Sequence, residues 1–278
     1  MNPPTSDIFE AERVLEVAHS RPPMLVHERW SRAFPWLVQG TTTRGPDGRF
    51  DLGLFSRGSG EDQVRANWRE LAEGAGFPTV VHAQQVHGSK IHVALGDASA
   101  AGAAHAPPRR AVSQRPLLLD PADGHVTGVP GVLLAVTTAD CVPVFLVDPG
   151  RRAIGAVHAG WRGVAAGILE EALGTLHDAF GTEPSDVHVH LGPAICGRCY
   201  EVGPEVFAAL GQEVPSSNEP IDVRAVLARR ARAAGVAQDR ISASVHCTRC
   251  TDSDLYSHRA GHAQRQVGFI GIREGHAS

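Results

Sequence analysis

Three short strings set a soft ligand beside a glycine or a tight turn at the end of a predicted strand: QVHG (85–88), TADC (138–141) and HAGWRG (158–163). Strand ends let side chains converge on one point while the scaffold holds them rigid. His87, Cys141 and His158 together offer one thiol and two imidazoles, a borderline-soft set that suits zinc or copper and leaves a fourth position open. A metal held there would keep Cys141 as a thiolate and acidify a bound water toward neutrality. A plainer reading stands beside this one. A cysteine after a strand is commonly a small buried hydrophobe, a histidine beside glycine is often a hydrogen-bonded turn residue, and the spacing of the three matches no general zinc pattern.

A second constellation consists of two Cys-x-x-Cys pairs, Cys196/Cys199 and Cys247/Cys250. Four thiolates make a closed structural zinc site, yet the gap between these pairs far exceeds the usual ~15 to 20 residues. If the pairs meet, they tie the C-terminal strand to the Gly192-Pro193 loop and leave Cys141 as the odd cysteine. Redox pairs and free thiols are the alternatives, structural disulfides being disfavoured in the cytosol.

The elements that must position these groups follow from periodicity. Residues 1–25 read as an N-terminal helical extension: Asp7 and Glu10 have capping-box spacing, and Ile8, Ala11, Leu15 and Ala18 recur at helical period before Pro22 and Pro23. Residues 78–94 predict a strand, a turn at Gly88 and a second strand. Residues 97–116, rich in Ala, Pro and Arg, predict a mobile loop. Strands are expected at 132–139, 142–148 and 152–159, the last two joined by a tight Asp148-Pro149-Gly150 turn. A helix marked by Val164, Ile168, Leu169, Leu173, Leu176 and Phe180 should follow and stop at Gly181. Strands at 187–191, 241–247 and 267–272 and helices at 204–210 and 222–234 complete the pattern. No regular βαβ period emerges, so the expected class is α+β, one layered domain over residues 26–278 with mixed sheets flanked by helices.

Composition narrows the function. The 278 residues are 42% hydrophobic, 20% charged and 5% aromatic, an ordinary globular profile. With 26 basic against 30 acidic residues, the net charge of −4 gives no footprint for a nucleic-acid backbone. No apolar run approaches the ~18 residues of a membrane span, and the acidic N-terminus does not read as a secretory signal, so a cytoplasmic location is expected. Lys90 is the only lysine, so anions must be held by arginine, backbone N–H groups or metal. The sequence lacks a Gly-Lys-Ser/Thr phosphate loop, a Gly-x-Ser-x-Gly elbow, a His-Glu-x-x-His helix and the zinc-deaminase signature. It sets no oligomeric state.

The strings QVHG, TADCVPVFLVDP, AVHAGWRGVAAGIL, LGPAICGRCYEVGPEV and CTRCTDSDLYSHRAG, in this order, resemble the laccase-domain, or multicopper polyphenol oxidoreductase, family, of the purine nucleoside phosphorylase type. The resemblance implies a layered α+β domain, with a zinc site at His87, Cys141 and His158 that copper could also occupy. It implies phosphorolysis of adenosine, inosine, guanosine and methylthioadenosine, with deamination of adenosine, the partners being a purine nucleoside and phosphate. Arg44 and Arg162 are the expected phosphate holders, since guanidinium binds phosphate bidentately. Gln85 and the YSHR segment, with Tyr256, His258 and Arg259, are expected to line the same cleft.

Two departures from the family pattern lie outside the triad. Asn67-Trp68 replaces Asn-Arg, so that an arginine is either missing or displaced to Arg69, and Phe50-Asp51-Leu52-Gly53 replaces Leu-Asn-Leu-Gly. Two other activities belong to the resemblance. Copper oxidation of phenols would need several His-x-His pairs, and His188-Val189-His190 is one. Editing of peptidoglycan precursors would make Cys141 a nucleophile with His87 or His158 as base. The Cys-x-x-Cys pairs are expected to be dispensable for chemistry.

Overall fold

The computed structural model describes residues 11–94, 116–251 and 253–275. In chain order the strands of the first half are β1 Glu12–Val14, β2 Val17–Ser20, β3 Pro23–Val26, β4 Leu37–Thr42, β5 Thr79–Ala83, β6 Ile91–Val93, β7 Leu117–Leu119 and β8 Gly124–Thr127. Those of the second half are β9 Val132–Thr138, β10 Val142–Asp148, β11 Ala153–Ala159, β12 His188–Leu191, β13 Glu201–Val202, β14 Glu219–Pro220, β15 Ile241–Ser244 and β16 Gln266–Ile272. Six α-helices are present among the described residues: α1 Glu28–Ala33, α2 Glu61–Ala75, α3 Trp161–Ala165, α4 Ile168–Phe180, α5 Pro204–Ala209 and α6 Val223–Ala233.

Two mixed seven-stranded sheets carry the domain, in the orders β1-β15-β12-β10-β11-β8-β6 and β2-β3-β4-β16-β9-β5-β7. Strands β9, β10, β11 and β16 are apolar on both faces because each sheet is covered on both sides. Between the sheets lie Leu134, Val136, Phe145, Val147, Ile154, Ala156 and Ile270. The outer face of the first sheet packs Val144, Leu146 and Val157 against α4 and α6 through Ile168, Leu169, Leu176 and Leu227. Trp68 and Leu71 of α2 cover Leu133, Ala135 and Phe269 on the outer face of the second. The result is a single α+β domain of four layers, helix, sheet, sheet, helix.

Three local expectations change. Over residues 11–25 the chain forms strands, not a helix. Val14 and Glu16 turn inward while Leu15 is 71% exposed, so period two prevails over the helical spacing. Parallel pairing of β1 with β15 supplies the backbone partners, and the buried Glu16 carboxylate is taken up by His190 at 3.1 Å and the Ser244 hydroxyl at 2.8 Å. The segment is thus woven into the sheets; its expected capping residues 7–10 lie outside the described residues, as does nearly all of the loop expected at 97–116. The strands of 78–94 form, but no hairpin joins them: β5 pairs with β7 and β9 in one sheet, β6 with β8 in the other. The QVHG string is therefore a crossing between sheets. Finally, the helix after β11 breaks into α3 and α4 at Gly167, whose φ of +81° ends one helix and starts the next.

Candidate active site and second cysteine cluster

The β10–β11 hairpin places Cys141 just ahead of β10 and His158 near the end of β11, where Pro143 pairs with His158. His87 arrives from the sheet crossing. Its Nδ1/Nε2 donors, the Cys141 thiol and the His158 ring lie within 4.8 Å of one another, with His87 exposed, Cys141 half-buried and His158 buried. The two imidazoles meet edge to face at 4.8 Å between centroids. Gly160 makes this approach possible: a Cβ there would sit 3.0 Å from both Cys141 Sγ and His87 Cδ2.

The residue that organises the cluster, Asp123, carried no signal in the sequence beyond an Asp-Gly step before β8. It is fully buried. Its carboxylate accepts three successive backbone N–H groups, from Val86 (3.1 Å), His87 (2.9 Å) and Gly88 (2.8 Å), and His158 Nδ1 donates to it at 2.9 Å. This grip accompanies a left-handed His87, φ +60°, a conformation that non-glycine residues adopt only when their surroundings fix it. With Nδ1 committed to Asp123, His158 has Nε2 left for a ligand, the arrangement in which a carboxylate orients a metal-binding histidine. Burial opposes charge on the Cys141 thiol, but His158 and His87 outweigh it and bring the thiol down to about 6. Burial likewise disfavours a charged His158, while the Cys141 thiolate and Asp123 raise it to about 9. The pair therefore favours thiolate and imidazolium. One thiolate and two imidazoles with a fixed tautomer and an exposed side fit a zinc-type ion with an open position.

Asp140, just before Cys141, is also left-handed at φ +89°. Its Oδ1 accepts from Thr248 Oγ1 (2.5 Å), its Oδ2 from the Arg259 backbone N–H (2.7 Å) and its carbonyl from Ile195 N–H (3.1 Å). This one residue ties the triad to the loops bearing both Cys-x-x-Cys pairs. The four sulfurs of Cys196, Cys199, Cys247 and Cys250 do converge, all within 4.8 Å.

A cleft of about 610 Å³ opens over the triad, walled by Phe55, Arg57, Gln85, His258, His262 and Arg265 among others. Gln85 faces it with its amide already engaged, Nε2 donating to the Thr137 carbonyl and Oε1 accepting from Thr137 N–H and hydroxyl. His258 lines the cleft. The other expected contacts are not among the residues lining this cleft. Tyr256 is buried with its hydroxyl on the Gly48 carbonyl, Arg259 lies over Tyr200 and donates to the Glu201 carbonyl, and Arg162 lies 4.3 Å from the Trp161 ring centroid. Neither Arg44 nor Arg69 is among the lining residues. Arg57 and Arg265, which do line the cleft, the second with its Nη1 donating to the carbonyls of His262, Ala263 and Gln264, and the 54% exposed Phe55 ring escaped the sequence reading. The nearby departures from the family pattern have structural work: Asp51 accepts backbone N–H groups from Gly53, Ser59 and Arg265, and Asn67 and Trp68 hold the carbonyls of Arg49, Asp51 and Leu52.

A family model described as multi-copper polyphenol oxidoreductase laccase matches residues 36–273. The purine nucleoside phosphorylase YlmD of Geobacillus stearothermophilus is 33% identical over 262 residues, covering 87% of this chain and 92% of its own. The purine nucleoside phosphorylase ORF3 of Streptomyces griseus is 34% identical over 241 residues, 83% of this chain and 90% of its own. The crystal structure of YlmD from Geobacillus stearothermophilus superposes with a TM-score of 0.79 at 29% identity, covering 94% of this chain and 99% of that one. No described helix is long and apolar enough to cross a membrane.

Proposed function

Because the chain belongs to the multi-copper polyphenol oxidoreductase laccase family, we propose that it is a metal-dependent purine nucleoside phosphorylase that also deaminates adenosine. Its substrates in this reading are adenosine, inosine, guanosine and methylthioadenosine. The observation that carries the reading is the cleft, whose lining brings the exposed Phe55 and the basic residues Arg57 and Arg265 together with the His87, Cys141 and His158 cluster. Zinc held by these three residues, or copper in its place, would supply Lewis acidity and stabilise charge developing in the reaction.

The remaining work falls to side chains. Phosphorolysis forms a bond from a phosphate oxygen to the sugar C1′ and breaks the bond from C1′ to the base nitrogen, whose electron pair leaves with the base. Arg57, which lines the cleft, joins Arg44 and Arg162 as the side chains proposed to hold the phosphate in line for that attack. Phe55 gives the purine a face to stack on. His262 Nδ1 accepts the Ser257 N–H at 3.0 Å, so its proton sits on Nε2, available to the departing base. Adenosine incubated with and without inorganic phosphate tests this. Free adenine should form only with phosphate, and inosine in either buffer. Absence of both products would overturn the assignment.

One observation favours a second reading. Asp123, His158 and Cys141 stand in the order of an orienting carboxylate, a base and a nucleophile, the set that a cysteine-dependent editing hydrolase acting on peptidoglycan precursors would use. Metal and substrate compete there for one sulfur. Chelation should abolish phosphorolysis, and hydrolysis that survives or rises on chelation would favour the hydrolase. The phenol-oxidase reading has less support, because His190 is engaged by Glu16 and Ser242 and His188 packs edge-on against Phe34.

A further inference from the structure

We infer that Cys196, Cys199, Cys247 and Cys250 form a second metal site, a closed tetrathiolate centre for zinc that is separate from the cleft. A tetrahedron with Zn–S bonds of ~2.3 Å has edges of about 3.8 Å. The Cys196–Cys250 and Cys199–Cys250 sulfurs stand 3.9 and 3.8 Å apart, and no two of the four are farther than 4.8 Å. A disulfide would require ~2.05 Å and would pair the sulfurs two by two. Here one sulfur, that of Cys250, is equidistant from two others, as a shared central ion demands.

The backbone is arranged for thiolates. The first pair sits on a tight turn in which Cys199 and Tyr200 N–H both donate to the Cys196 carbonyl, at 2.9 and 3.1 Å. Cys247 Sγ accepts from the N–H of Cys196 (3.2 Å) and of Arg249 (3.4 Å), donors that stabilise sulfur bearing negative charge. The loops are stitched to each other by the Thr248 N–H on the Ala194 carbonyl and by the Arg249 guanidinium on the Cys199 carbonyl, both 3.2 Å. Four thiolates around a divalent ion leave two negative charges, and Arg13, Arg198 and Arg224 line the same cavity as Cys196, Cys247 and Cys250.

The long gap between the pairs has a topological cause. β12 and β15 are parallel neighbours, so a crossover containing α5 and α6 must separate them, and both cysteine loops leave the same end of the sheet. The spacing rule for short zinc modules does not anticipate a site closed by a crossover. The consequence for the cleft runs through Asp140, which is held by Ile195 and Thr248, one residue outside each pair's first cysteine or directly after it. Metal on the four sulfurs fastens both loops and so the backbone that presents Cys141.

Zinc counting by elemental analysis tests the site. The full chain purified under reductant should carry two zinc ions. The double variant His87→Ala/Cys141→Ser should keep one, and its X-ray absorption spectrum should show four sulfur neighbours and no nitrogen or oxygen. Cobalt substituted into that variant should give an intense thiolate-to-metal charge-transfer band. Cys250→Ser should carry one ion, in the cleft; if that variant fails to fold, the double variant alone decides. A double variant without metal, a first shell with fewer than four sulfurs, or Cys196–Cys199 and Cys247–Cys250 disulfides in the reduced, purified chain would overturn the inference.

Discussion

The molecule brings together two groups of metal-ligating side chains, one with a single cysteine and one with four. In the cleft, one sulfur is joined by two imidazoles, one side stands exposed, and His158 is oriented by a buried carboxylate. At one end of the first sheet, beyond β12 and β15, four sulfurs face one another and every position around a central ion would be protein. An open coordination position is what separates a catalytic ion from a structural one, so the ligand count and exposure on each side, and not the presence of cysteine, locate the chemistry. Two of the three left-handed non-glycine residues among those described, His87 in the open cluster and Asp140 beside it, are held there by Asp123 and by the Thr248 and Ile195 contacts.

The largest expected effect comes from removing a ligand at the open cluster. Cys141→Ser should lose the cleft metal and lower turnover by more than about a hundredfold, the upper range reached by outer-sphere partners alone, while the ion at the four cysteines stays; metal content and initial rates on one preparation check both. Asp123→Asn should follow, with a loss of roughly 10- to 100-fold in metal affinity or activity, since the His158 tautomer and the 86–88 turn both depend on that carboxylate. Equal metal affinity in Asp123→Asn and the parent chain would remove the outer carboxylate from the account. Phe55→Ala should raise KM for nucleosides roughly tenfold with metal content unchanged, in keeping with ~1–3 kcal/mol for a stacked base.

Acid stability is set by three buried histidines outside the triad. Burial lowers His82 to about 4 and His27 and His125 to about 3, so the folded chain keeps them neutral. Their ordinary value is near 6.5. Below that the unfolded chain binds protons that the folded one does not, so stability is intact above about 6.5 and falls as pH drops toward 4 and 3. Melting temperatures measured from neutral to pH 4 should decline steadily, and His125→Gln should flatten the decline. The smallest effect on rate is expected from Cys250→Ser, which should melt earlier and keep most of its turnover.

The sequence made the middle of the fold legible because β9, β10 and β11 are short, largely apolar runs, the last two joined at Asp148-Pro149-Gly150, and strands buried on both faces read as such runs whichever strands they pair with. The N-terminal strands were hidden because β1 pairs with β15, far along the chain, and the residues between β1 and β2 bury Glu16, a carboxylate that breaks any apolar alternation. The convergence of His87, Cys141 and His158 could be anticipated from strand ends. Asp123 could not, since nothing local marks an aspartate whose partners are 35 or more residues away. Arg57, Arg265 and Phe55 were missed for the same reason: their shared cleft is created by the loop that Asp51 fastens to the Arg265 backbone.

In the proposed function, purine phosphorolysis belongs to the open cluster and not to the closed one. Phosphorus NMR of adenosine and phosphate incubated with zinc-loaded protein tests it directly. Ribose 1-phosphate should accumulate with the parent chain and with Cys250→Ser, and should be absent with Cys141→Ser. Ribose 1-phosphate formed by Cys141→Ser at the parent rate, or none formed by the parent chain, would contradict it.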